Sequence, residues 1–112
     1  MLNWNDYKQQ VLAGVGDIAR VSPEFIKGYQ GLSAAAKKTG LLGDKVNELI
    51  ALATAVTRQC DGCIAVHTAA AIAAGATREE IIEALSTAAA VNAGAALVYS
   101  TRVLDAYSSR NA

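Results

Sequence analysis

Histidine occurs once in this chain of 112 residues, cysteine twice, and proline, methionine and tryptophan once each. Each scarcity excludes something. Two cysteines cannot build a disulfide framework, and a bridge closing so short a loop would restrict the unfolded chain only slightly. Aromatic residues make up 5% of the chain, so the residues that favour strands are sparse. Net charge is absent, with ten acidic residues against ten basic ones. No global field recruits nucleic acid or an acidic membrane surface. The N-terminus, M-L-N-W-N-D-Y-K, lacks the basic and apolar regions of a secretion signal. An uninterrupted apolar run of about 18 residues is also missing, so no membrane span is expected. What remains is a cytoplasmic, soluble chain forming a single domain over residues 1–112.

What is there is alanine, within an apolar content of 53%. Alanine loses no side-chain entropy in a helix, so an all-α fold is expected. Tyr7, Val11, Leu12, Val15 and Ile18 recur at helical intervals between about residues 4 and 20. Ser22, Pro23 and Glu24 read as the start of a second helix, which Gly40 stops. A third begins near Asp44, with Val46, Leu49, Ile50, Ala53 and Val56 on one stripe. A fourth opens at the cysteines and ends at Gly75. Thr77 and Glu80 form a capping box for a fifth, and Asn92 with Gly94 predicts a break before a sixth. From Ala84 to Tyr99 the chain is nearly uncharged, so this helix must be covered on all sides. Either it is a subunit interface, the favoured reading, or it is a central helix inside one chain. Tyr99 and Tyr107 read as interface residues and Trp4 as an anchor of the first helix.

Both cysteines and the only histidine fall within one run, C-D-G-C-I-A-V-H, from Cys60 to His67. On a helix, Cys60, Cys63 and His67 lie within about 60° of one another, along one face. Cys60 stands at the helix start, where unpaired N–H groups favour a thiolate, although Asp61 opposes this. An imidazole can take and return a proton near neutral pH. If the preceding helix folds back as an antiparallel hairpin, Glu48 arrives beside His67 and can orient it. Other readings stay open at this point. The thiols could be small inert core residues. Cys60, Cys63 and His67 could ligate a metal, with Glu48 or water fourth. Glu48 could be an exposed residue paired with Lys45 or Arg58, and the chain could be an assembly protein with incidental thiols.

The segment E-L-I-A-L-A-T-A-V-T-R-Q-C-D-G-C-I-A-V-H-T-A-A-A-I-A-A-G-A-T-R-E-E-I resembles the core of the alkylhydroperoxidase D-like proteins, within the carboxymuconolactone decarboxylase superfamily. The signature is a glutamate, eleven residues, C-x-x-C, three residues and a histidine, met by Glu48, Cys60, Cys63 and His67. Resemblance extends over about residues 41–107. It implies an all-α domain of about six helices, with a central hairpin carrying the C-x-x-C, assembled as trimers or hexamers. It further implies a dithiol peroxidase, or alternatively a thiol–disulfide reductase or redox sensor, working without cofactor or metal. In such proteins Cys63 would attack a hydroperoxide and become a sulfenic acid. Cys60 would donate a proton and then close the disulfide, with Glu48 and His67 as proton relay. A dithiol of lipoamide or thioredoxin type would return the electrons. The resemblance also implies a histidine before the second cysteine, where this chain has Gly62. A dithiol argues against lactone decarboxylation.

Overall fold

The computed structural model describes residues 1–111 as five helices. Helix α1 spans Trp4–Val21, and the Asn3 side chain caps it by accepting from the Asp6 N–H at 3.1 Å. Pro23 opens α2 (Pro23–Lys38), where its missing N–H leaves no bond unmade. Gly40, at φ 68°, turns the chain out of α2 in a conformation that costs other residues a steric clash. Helix α3 covers Gly43–Arg58, α4 Asp61–Ala73 and α5 Arg78–Asn111. No strand occurs among the described residues.

Helix α3 is the hub, packed against α4 on one side and α5 on the other. The helices α1 and α2 form a second pair, with α1 lying along α4 and α2 touching α3 sparingly. The buried apolar side chains are Leu52 and four alanines, Ala55, Ala65, Ala71 and Ala88. Alanine at these facing positions lets the backbones approach closely, at the cost of a thin core. The buried face of α3 is Glu48–Leu52–Ala55, rather than the stripe expected through Val46, Ile50 and Val56, which stay partly exposed. With α4 and α5 on either side, the face between them wins, and it carries a glutamate.

The break expected at Asn92 and Gly94 is absent, so the fifth and sixth helices are one α5 of 34 residues. A glycine costs an interior helix only about 1 kcal/mol relative to alanine, and alanines surround this one. Asn92 is held in register by donating its amide to the Thr57 hydroxyl at 2.8 Å. The start of α5 behaves as read. Thr77 Oγ1 accepts from the Glu80 N–H at 3.1 Å, and Glu80 accepts from the Thr77 N–H at 2.9 Å. Ala88 faces the core, whereas Val91, Leu97, Val98 and Tyr99 are open in the single chain. The second half of α5 is therefore no central helix of one chain. Helix α5 is also long and apolar enough to cross a membrane by length and composition, with a mean hydropathy of 1.6 over its best window.

Candidate redox site

Two turns position the site. The helix α3 ends at Gln59, which takes a left-handed conformation (φ 52°, ψ 47°). There the Cys60 N–H reaches back to the Ala55 carbonyl at 3.1 Å. This reversal folds α4 antiparallel onto α3 and brings Glu48 to His67. Helix α4 then begins at Cys60, which serves as its N-cap through sulfur: Sγ accepts from the Cys63 N–H at 3.2 Å. A sulfur bearing negative charge gains from that N–H and from the helix N-terminus together.

Cys60 and Cys63 are joined as a disulfide, their Cα atoms 5.2 Å apart. Both residues are partly exposed in the single chain. His67 follows Cys63 by one helical turn, and its Nδ1 lies 2.8 Å from Oε2 of Glu48. The hairpin expectation therefore holds for this pair, and neither Lys45 nor Arg58 is the partner of Glu48. Lys45 instead pairs with Glu80 at 2.8 Å. The ligand set considered for a metal is not assembled: among the described residues no three cysteine, histidine or carboxylate side chains are grouped to hold an ion.

Glu48 is 4% exposed at its side chain, and a carboxylate so buried must be satisfied on both oxygens. Oε2 takes His67; Oε1 takes the Nζ of Lys37, from the last turn of α2. Burial pushes the Glu48 pKa up, but the hydrogen bonds from Lys37 and His67 outweigh it and hold the group below its ordinary value. That shift favours the carboxylate form of Glu48 near neutral pH. The hydrogen in the Glu48–His67 bond then belongs to Nδ1, and in neutral His67 the Nε2 is left as acceptor.

Lys37 went unnoticed in the sequence because K-K at the end of a helix reads as a solvated complement to the helix dipole. It lies eleven positions before Glu48, and no periodicity links the two. Helix α1 supplies another contact that spacing could not reveal. A Cβ placed on Gly62 would meet both methyl groups of Val11 at 3.5 Å. Val11 of α1 thus stands in ordinary van der Waals range of the position where the resemblance implies an imidazole. On the α2 side, a cavity of about 600 Å³ is bounded by Lys37, Glu48 and His67 together with Tyr29, Leu32 and Ile50.

Residues 23–106 match the sequence profile of the carboxymuconolactone decarboxylase family. An uncharacterized protein of Haemophilus influenzae is 44% identical over 110 residues, covering 98% of this chain and 97% of its own. Another, from Cupriavidus necator, is 34% identical over 97 residues, with 87% and 86% covered. The crystal structure of an apo carboxymuconolactone decarboxylase family protein from Legionella pneumophila superposes with a TM-score of 0.76, at 34% identity over 94% of both chains.

Proposed function

As the chain belongs to the carboxymuconolactone decarboxylase family, we propose that it is a cofactor-independent dithiol peroxidase that reduces organic hydroperoxides through Cys60 and Cys63. The observation that carries this reading is the disulfide at the start of α4 with an oriented imidazole one turn beyond it, backed by a buried carboxylate. In the reduced protein, Nε2 of His67 takes the proton of the Cys63 thiol. The thiolate attacks the distal oxygen of ROOH, the O–O bond breaks, and the leaving alkoxide takes a proton to depart as alcohol. Cys63 is then a sulfenic acid. The Cys60 thiol displaces its hydroxyl as water, and the disulfide seen here closes. An external dithiol restores both thiols by attack on the Cys63 sulfur. Cys60 leaves as a thiolate that the Cys63 N–H already supports.

One turnover of fully reduced protein tests this. Wild type is expected to consume one hydroperoxide per protomer while both thiols disappear, and Cys63→Ser to consume none. If Cys63→Ser consumes peroxide as wild type does, the mechanism is wrong. A second reading, a thiol–disulfide reductase that leaves peroxide alone, draws support from Gly62 standing where the resemblance implies a relay histidine. It requires lipoamide-type disulfide exchange with the peroxide untouched in the same assay.

The same proposal includes a homo-oligomer, a trimer or hexamer in the cytoplasm, joined through the exposed second half of α5. Its support is the set of apolar residues Val91, Leu97, Val98, Val103 and Leu104, spread around the helix and open in the single chain.

A further inference from the structure

We propose that Lys37 is a positioning residue of the redox site: from α2 it holds Oε1 of Glu48, so that Oε2 fixes the Nδ1–H form of His67 and leaves Nε2 to take the thiol proton. This rests on the peroxidase reading for its purpose, although the contacts themselves do not. Three elements meet here. Helix α3 supplies the carboxylate, α4 the imidazole and α2 the cation.

The geometry separates Lys37 from an ordinary surface ion pair. Glu48 is buried at 4% exposure, whereas Lys37 is 41% exposed and stands in the wall of the cavity that also reaches His67. Helix α2 buries no residue of its own, so a lysine that only fastened α2 would have little packing to support. What Lys37 does satisfy is the second oxygen of a carboxylate that the desolvating core would otherwise push toward its neutral form. A neutral Glu48 could donate a hydrogen to Nδ1, which would place the remaining ring hydrogen on Nε2. The imidazole would then be turned from acceptor to donor where the thiol needs it.

The charged groups bearing on this pair are Lys37 from α2, His67 from α4 and Asp44 from α3, the last acting on Lys37 and raising its pKa together with Glu48. On α5, Glu80 is held by Lys45. Removing the Lys37 charge therefore acts on Glu48 first and on Asp44 only through longer-range charge interaction.

His67 is the only histidine, so its ring nitrogens give a single set of NMR signals. The experiment compares wild type, Lys37→Met and Lys37→Arg, each shown by circular dichroism to keep its helices. It follows the Glu48 side-chain carboxyl carbon and the His67 ring nitrogens against pH. In Lys37→Met the Glu48 midpoint is expected to rise by about one pH unit or more, as on loss of an adjacent cation. The Nε2–H form should grow at the expense of Nδ1–H, and Lys37→Arg should restore both. If Lys37→Met loses helix, Lys37→Gln is read in the same way. An unchanged Glu48 midpoint and tautomer ratio in a folded charge-removed variant would overturn the proposal. Neither readout uses a hydroperoxide, so failure of wild type to consume peroxide would count against the peroxidase reading alone. Where wild type is active, Lys37→Met should turn over about tenfold more slowly, as for other outer partners of a working imidazole. Lys37→Arg should recover most of that loss.

Discussion

Glu48 is the residue on which acid stability and chemistry meet. Its pKa is lower folded than unfolded, so its contribution is present above its ordinary value of 4.5 and is lost as pH falls through the folded value. Glu80 behaves likewise at the start of α5, where Lys45 and the Thr77 N–H draw it down to about 2. Lys37 has the opposite sign. Its raised pKa gives stability that is complete below 10.5 and fades as pH rises through the folded value. Stability should therefore plateau between these limits and fall on both sides. In Glu48→Gln the acid limb, measured by thermal unfolding from pH 6 downward, should lose up to one bound proton of slope, while the Glu80 part persists. An unchanged slope would mean that Glu48 is no better held in the folded chain than in the unfolded one.

Among the elements, the reversal between α3 and α4 does most to assemble the site, and it passes through a left-handed Gln59. A residue with a Cβ in that conformation costs about 1–2 kcal/mol. Glycine removes this cost but adds about 0.4–1 kcal/mol of unfolded-chain freedom. Gln59→Gly should thus stabilise the reduced protein by about 0.5 kcal/mol, read as a small rise in melting temperature. A fall would show that the Gln59 side chain makes a contact of more value than the strain. The hairpin was legible beforehand because one short run, Cys60 to His67, joins helical spacing to chemistry. Glu48 followed from rise per residue along two antiparallel helices. The α2–α3 and α1–α4 contacts were not legible: Lys37 and Val11 look like ordinary surface and core residues until tertiary packing sets them against Glu48 and Gly62. Helix α5 misled for a local reason, since Asn92 and Gly94 carry breaker chemistry that a run of alanines and one bond to Thr57 override.

The single chain is more open than a compact monomer of its length. Its radius of gyration is 18.5 Å, where about 13 Å is expected for a compact domain of this length. Its surface is 8580 Å², where about 5,800 Å² is expected for a compact monomer of this mass. The excess exceeds the roughly 800 Å² that each partner buries in a standard interface. The exposed apolar surface of α5 is where the proposed oligomer would bury this excess. Light scattering should give a multiple of 11.6 kDa, and Leu97→Asp should reduce it. A monomer that needs detergent to stay dispersed would instead favour a lipid partner for α5. Within such an assembly the redox claim stands or falls on one sulfur. Reduced Cys60→Ser protein, which keeps Cys63 as its only thiol, is mixed with one equivalent of cumene hydroperoxide in the presence of dimedone and weighed by mass spectrometry. The account predicts a dimedone adduct on Cys63, with one alcohol released per adduct and little adduct on Cys60 in the reciprocal Cys63→Ser protein. Peroxide left intact, with Cys63 still a free thiol, would contradict it.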